Sequence, residues 1–159
     1  MIVYLTGQNP YSMIRKYQPA DIEAVLDAWY RASLLAHPFL DEAFLERERC
    51  NIREVYMPNT DTWVFEQEDG VVGFIAMLGN EVGALFLLPE YHGQGIGRQL
   101  MDHAANLYGH LEVEVFKRNT IGRGFYSRYG FEAAGERRHE ETGHALVLMK
   151  YEQTSREPE

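Results

Sequence analysis

The segment "YHGQGIGRQLM", residues 91–101, constrains the fold more than any other stretch of the chain. Gly93, Gly95 and Gly97 alternate directly after the strand-like "VGALFLLPEY" and directly before an apolar run that predicts a helix near 96–109. Strand, glycine turn and helix in that order bring free main-chain N–H groups and a helix dipole to one point. Such a point suits an anion, and glycine lets the anion approach the backbone closely. Two phosphate loops are excluded by residue identity. A Walker loop needs Gly-Lys-Ser/Thr, whereas Arg98 and Gln99 follow Gly97. The dinucleotide fingerprint needs a third glycine at 98, where Arg98 stands. On the loop alone, a turn that merely joins strand to helix remains the alternative.

The elements around the loop fall into one domain. Met13–Tyr17 predicts a first strand, and Pro19 with Asp21 starts a helix whose apolar positions Ile22, Val25, Leu26, Trp29 and Leu34 recur at helical spacing. "HPFL" breaks that helix, because the residue before Pro38 is pushed away from helical geometry. Asp41 caps a second helix expected over 42–56, and Asp69-Gly70 between two β-rich runs signals a hairpin. "HLEVEVFKR" alternates as a strand, "NTIGRGFYSRYG" reads as a short helix closed by Gly130, and "HALVLMKY" is a strand again. Residues 1–12 are expected to be an extension ahead of a domain over 13–151, with 152–159 a disordered polar tail. The stretch 132–145 reads as a loop.

Composition narrows the function classes. In 159 residues the formal charge is −9, which disfavours nucleic acid as a partner and favours amines or basic peptides. The longest apolar runs are strand-length, far short of the roughly 18 residues that suggest a membrane span. Cys50 is the only cysteine, so an internal disulfide and a multi-cysteine metal site are excluded and the cytoplasm is the expected compartment. The six histidines show no H-x-x-x-H spacing on a predicted helix, and no metal is expected.

In "FLLPEYHGQGIGRQLM" together with "NTIGRGFYSRYGF", the sequence resembles the GNAT superfamily of acetyl-CoA-dependent N-acetyltransferases. The family loop Q/R-x-x-G-x-G/A corresponds to His92, Gly93, Gln94, Gly95, Ile96 and Gly97, with His92 where Gln or Arg is usual. The downstream pattern N-x-x-A-x-x-F/L-Y corresponds to Asn119, Phe125 and Tyr126, with Gly122 in place of alanine. The resemblance implies an α/β (α+β) fold: a mixed, mostly antiparallel, splayed sheet of about six or seven strands flanked by about four helices. It also implies acetyl-CoA as cosubstrate, an amine-bearing acceptor (peptide or small molecule), and a monomer or homodimer. By the same resemblance, main-chain groups of Phe86, Leu87 and Leu88 would hold the pantetheine arm, and Gly93–Arg98 the pyrophosphate.

The implied reaction needs two proton transfers. An amine of pKa near 10.4 is neutral in about one molecule in 2,500 at pH 7, a handicap of roughly 4.6 kcal/mol, so its proton has to be removed. Tyr126 stands at the family's general-acid position, where it would protonate the leaving thiolate. Glu114, five residues before Asn119, matches the glutamate of the branch that acetylates protein N-termini. Glu112 shares its face of the strand by two-residue periodicity and is the second candidate. A solvated sheet face explains both glutamates equally well. His37 borders the acceptor site in this family and would either touch substrate or cap a helix end. Gly122 and Gly124 inside a short helix cost about 1 kcal/mol each and point to close approach of a ligand or a neighbouring backbone. A non-catalytic module that holds acetyl-CoA as a sensor is the rival reading. The presence of Asn119, Tyr126 and an acidic base together favours the enzyme.

Overall fold

A computed structural model describes residues 12–153 of the chain. Its strands are β1 (Met13–Lys16), β2 (Asp61–Gln67), β3 (Gly70–Leu78), β4 (Glu81–Leu87), β5 (His110–Phe116), β6 (Glu132–Arg138) and β7 (Ala145–Glu152). The main helices are α1 (Ile22–Ala36), α2 (Glu42–Asn51), α3 (Ile96–Tyr108) and α4 (Thr120–Tyr129). The expected extension, apart from Ser12, and residues 154–159 of the expected tail lie outside the described residues. Glu152 ends β7 and the Gln153 N–H reaches the Gly109 carbonyl at 2.8 Å, so these two do not belong to a disordered tail.

One mixed sheet runs in the order β1-β2-β3-β4-β5-β7-β6, antiparallel everywhere except between β4 and β5. That parallel pair meets at only two rungs, Glu81 with Glu112 and Val82 with Val113. From Gly83 onward the strands part and leave a wedge in the middle of the sheet. This follows the splayed sheet that the resemblance implies.

Both faces of the sheet are covered. On one, α1 and α2 bury Val25, Leu26, Trp29, Phe44 and Leu45 against Val64, Phe74 and Ala76. On the other, Leu100, Met101 and Ala104 of α3 and Tyr126 of α4 pack on Ile75, Met77, Leu111, Val113, Val115, Val147 and Met149. The alternation in β5 is strict, with Leu111, Val113 and Val115 buried and Glu112, Glu114 and Phe116 turned to the α1/α2 side. Each buried aliphatic contributes roughly 1.5–3 kcal/mol, so this alternation fixes which face each glutamate takes.

Local chemistry sets the ends of the elements. Asp41 accepts from the Phe44 N–H at 2.8 Å and starts α2. α1 ends at His37, whose N–H still reaches the Ser33 carbonyl before Pro38 stops the helix. The expected second helix over 42–56 changes geometry inside that span. After Asn51 it widens into a π turn over Ile52–Tyr56, and the Met57 N–H bonds to the Ile52 carbonyl five residues back. Pro58 follows with no N–H of its own, and the helical run finishes at Asn59.

The expected loop over 132–145 is corrected as well. Residues 132–138 are β6, an edge strand paired antiparallel with β7 and shifted in register between Ala133 and Gly135. Every β6 residue is exposed, so no apolar alternation marks it, and Glu132, Glu136, Arg137 and Arg138 keep its free edge charged. Only the turn joining β6 to β7 is loop.

Candidate active site

The wedge between β4 and β5 opens into a cleft of about 810 Å³. Phe86, Leu87, His92, Gly93, Gly95, Ile96, Gly97, Arg98, Glu114, Asn119, Phe125 and Tyr126 all line it. Leu88 and Gln94 are not among its lining residues. The Leu88 N–H is committed to the Val72 carbonyl at 2.9 Å, and Gln94 Nε2 donates to the Glu90 carbonyl at 3.2 Å.

The glycine loop closes one end of the cleft. Gly93 and Gly95 hold φ of 77° and 82°, the left-handed region that glycine enters without strain. Gly95 is the N-cap of α3, and the first helical bond runs from the Gln99 N–H to its carbonyl. The amides of Ile96, Gly97 and Arg98 therefore have no main-chain acceptor among the described residues, and they stand at the positive end of the α3 dipole. Gly97 has a separate duty, since a Cβ there would lie 3.2 Å from the Phe125 ring. His92 donates through Nε2 to the Leu87 carbonyl at 3.0 Å and ties the loop back to the end of β4. The family's departure at this position thus has a local use.

Asn119 organises the cleft floor. Its Oδ1 accepts from the Gly122 N–H at 2.8 Å and caps α4, while its Nδ2 lies 3.3 Å from His37 Nε2. A Cβ on residue 122 would fall 2.4 Å from that Nδ2, which accounts for glycine where the family has alanine. The close approach expected at Gly122 is therefore made by the Asn119 side chain, not by a backbone. Gly124 faces only the flexible end of Arg128.

Tyr126 is buried on α4 between Phe125 and Phe131, with ring centroids 5.4 and 5.3 Å away. Its phenol, protonated at neutral pH in any case, is raised further above the ordinary value by burial. Glu114 faces the α1/α2 side, gripped by Arg137 through Nε at 2.5 Å and Nη2 at 3.1 Å. Glu112 sits in the neighbouring depression and pairs with Lys150 at 3.4 Å.

The opposite wall comes from α1, α2 and the β6–β7 turn. His37 is largely buried there, and desolvation holds its imidazole near pKa 4. Glu48 projects from α2 into the cleft with Asn51 as its side-chain partner, and desolvation raises its carboxyl. Glu81 lines the same cleft and is raised by burial and by Glu114 and Glu112. Arg47 pairs with Glu141 at 3.1 Å and joins α2 to the β6–β7 turn. Sequence reasoning did not single out Glu48. Its signal was weak, one glutamate in a helix rich in Glu and Arg, and only the fold shows which of them faces inward.

Comparison with known proteins agrees with this geometry. A family model described as an acetyltransferase (GNAT) domain matches residues 58–133. The peptidyl-lysine N-acetyltransferase YiaC of Escherichia coli is 30% identical over 120 residues, covering 75% of this chain and 82% of that protein. The peptidyl-lysine N-acetyltransferase YjaB of Salmonella typhimurium is 31% identical over 140 residues, covering 86% and 94%. Among solved structures, apo-form YjaB from Escherichia coli superposes with a TM-score of 0.81 at 27% identity, covering 90% of this chain and 99% of that one. The PaiA N-acetyltransferase of Thermoplasma acidophilum, solved with coenzyme A, shares the fold with a TM-score of 0.67 at 20% identity, covering 88% and 99%.

Proposed function

The chain belongs to the GNAT superfamily of N-acetyltransferases, and from that premise we propose that it moves the acetyl group of acetyl-CoA directly onto a lysine side-chain amine of a peptide or protein. The observation that carries the reading is the parted β4–β5 pair beside the glycine loop, one continuous cleft with main-chain donors at one end and Tyr126 inside it. The residues fit acetyl-CoA. The free amides at the start of α3 suit its pyrophosphate, and the edge of β4 from Gly83 to Phe86, left unpaired by β5, suits the amide groups of its pantetheine arm.

The roles of the side chains follow from their environments. As the amine nitrogen bonds to the acetyl carbon, the carbon–sulfur bond breaks and the electron pair leaves on sulfur. Tyr126, a phenol that is protonated at neutral pH and that burial holds further in that form, supplies a proton to that thiolate. Glu114, oriented by Arg137, takes the amine's proton directly or through a water. Glu48 and Glu81 line the cleft without a lysine or arginine partner among the described residues, and their carboxyls favour a lysine ammonium there before it is deprotonated. The names of the sequence relatives support lysine as acceptor over an N-terminal amine or a small drug-like amine.

A thiol-release assay with acetyl-CoA and a panel of lysine peptides, N-terminal peptides, polyamines and aminoglycosides tests the proposal. Lysine peptides should turn over fastest. Glu114→Gln should slow that turnover, with the deficit shrinking as pH rises and more amine is already neutral. Acetyl-CoA that stabilises the protein yet releases no thiol with any amine would identify a binding module instead.

A further inference from the structure

His37 stands where the two parting strands leave their opening. Its ring lies edge-on to Phe86 of β4 and Phe116 of β5, with centroids 6.3 and 5.3 Å away, and Phe39 closes a third side at 5.8 Å. The hydrogen bonds also fix which ring nitrogen carries the proton. Asn119 Oδ1 is identified by the Gly122 N–H that it accepts, so the group turned toward His37 is the amide NH2. An NH2 only donates, hence Nε2 of His37 accepts and the ring proton sits on Nδ1. Nδ1 finds no partner among the described residues, and it is not one of the sealed, unpaired polar atoms, which are Ser33 Oγ and His103 Nε2. His37 lines the cleft, so this N–H is open to whatever the cleft holds.

We propose that the His37 Nδ1–H donates a hydrogen bond to the acetyl carbonyl oxygen and stabilises the negative charge that develops there. The inference rests on the acetyl-transfer reading above and adds a catalytic residue to it. His37 does not serve as the base in this arrangement, because its one lone pair is occupied by Asn119. When the amine nitrogen bonds to the acetyl carbon, the carbonyl π pair moves onto oxygen and meets the Nδ1–H. That pair returns as the carbon–sulfur bond breaks, sulfur takes its proton from Tyr126, and the amine's proton leaves to Glu114 or water. His37 keeps its proton throughout. The three phenylalanine rings give this donor apolar neighbours on three sides, where a hydrogen bond to a developing charge is worth more than in open water. A neutral imidazole does this without repelling an incoming ammonium, and desolvation keeps the ring neutral throughout the ordinary working range of pH.

Nitrogen-15 NMR of the histidine side chains tests the assignment, with the His37 signals identified by their loss in His37→Phe. The expected spectrum at pH 7 shows neutral His37 protonated on Nδ1. Acetonyldethio-coenzyme A, in which a methylene replaces the thioester sulfur and the carbonyl keeps its place, should move the Nδ1–H proton downfield, whereas coenzyme A, which lacks the carbonyl, should not. In kinetics, His37→Phe should lower kcat about 10²–10³-fold. Its affinity for acetyl-CoA should stay within about threefold of wild type, and His37→Gln, which offers an amide donor, should recover part of the rate. A proton on Nε2, an equal response to both ligands, or an unchanged kcat in His37→Phe overturns the proposal while leaving acetyl transfer intact. Failure of the wild type to bind either coenzyme A ligand overturns both.

Discussion

From the parted half of β4 through the glycine loop to the start of α3, the hydrogen-bonding groups offered to the cleft belong mainly to the main chain, beside the Phe86 ring. Across from them, α1, α2 and the β6–β7 turn present side chains: His37, Phe44, Glu48 and His139. The donors of the first wall are atoms that nearly every residue possesses, and their demands on sequence are negative ones, such as no Cβ where φ is positive. The second wall is made of particular rings and charges, so its properties change with each substitution. A constant donor and a variable acceptor are what such a division accommodates.

The sharpest way to test that division is to remove a proton without moving a ring. Tyr126→Phe keeps the packing against Phe125 and Phe131 and deletes only the hydroxyl. Turnover should fall about 10²–10⁴-fold, or roughly 2.7–5.4 kcal/mol of barrier, with the loss in kcat and little change in melting temperature or cofactor affinity. Steady-state kinetics under cofactor saturation decide it. An unchanged kcat with chemistry rate-limiting would assign proton delivery elsewhere.

The side-chain wall should also betray itself through acid. His37 has its folded pKa depressed to about 4 from the ordinary 6.5, so between those values the unfolded chain binds a proton that the folded chain refuses. Its contribution to stability is complete above about pH 6.5 and lost as pH falls toward 4, at most about 3 kcal/mol. In denaturant melts across this window, wild type should lose stability relative to His37→Phe as pH falls, whichever of the two is the more stable at pH 7. Parallel curves would place His37 in water, outside the wall.

The main-chain wall should break at Gly95. A glutamate there brings charge and bulk to the free amides of α3 and also strains a backbone held at φ 82°. At acetyl-CoA concentrations near 100 times Kd, the wild type should gain about 2.7 kcal/mol and a higher melting temperature, and Gly95→Glu should gain none of it. Equal shifts in the two proteins would remove the loop from the binding site.

The two walls were also unequally legible. Glycine is visible in a sequence, so Gly93, Gly95 and Gly97 announced the loop, and Asn119 and Tyr126 followed at motif spacing. The alternation in β5 placed Glu112 and Glu114 on one face, yet their partners Lys150 and Arg137 come from strands far along the chain. β6 was hidden because a strand exposed on both faces carries no apolar period. The π turn was hidden because the bond from the Met57 N–H to the Ile52 carbonyl is a one-residue shift of the main chain, not a pattern of residues. His37 could be placed at a helix end, but its ring environment depends on Phe86, Phe116 and Asn119, which only the folded chain assembles.

The parting of β4 from β5 places a vacancy inside the sheet and not at its rim. Ordinary edges invite a stray strand from another molecule, but this one is roofed by helices and admits only something narrow and extended. A guest accepted there would complete the ladder as a borrowed strand, so binding energy and sheet cohesion would draw on the same amides. Side-chain drift cannot erase those amides. A lineage of such proteins can therefore exchange its acceptors freely and still inherit its donor.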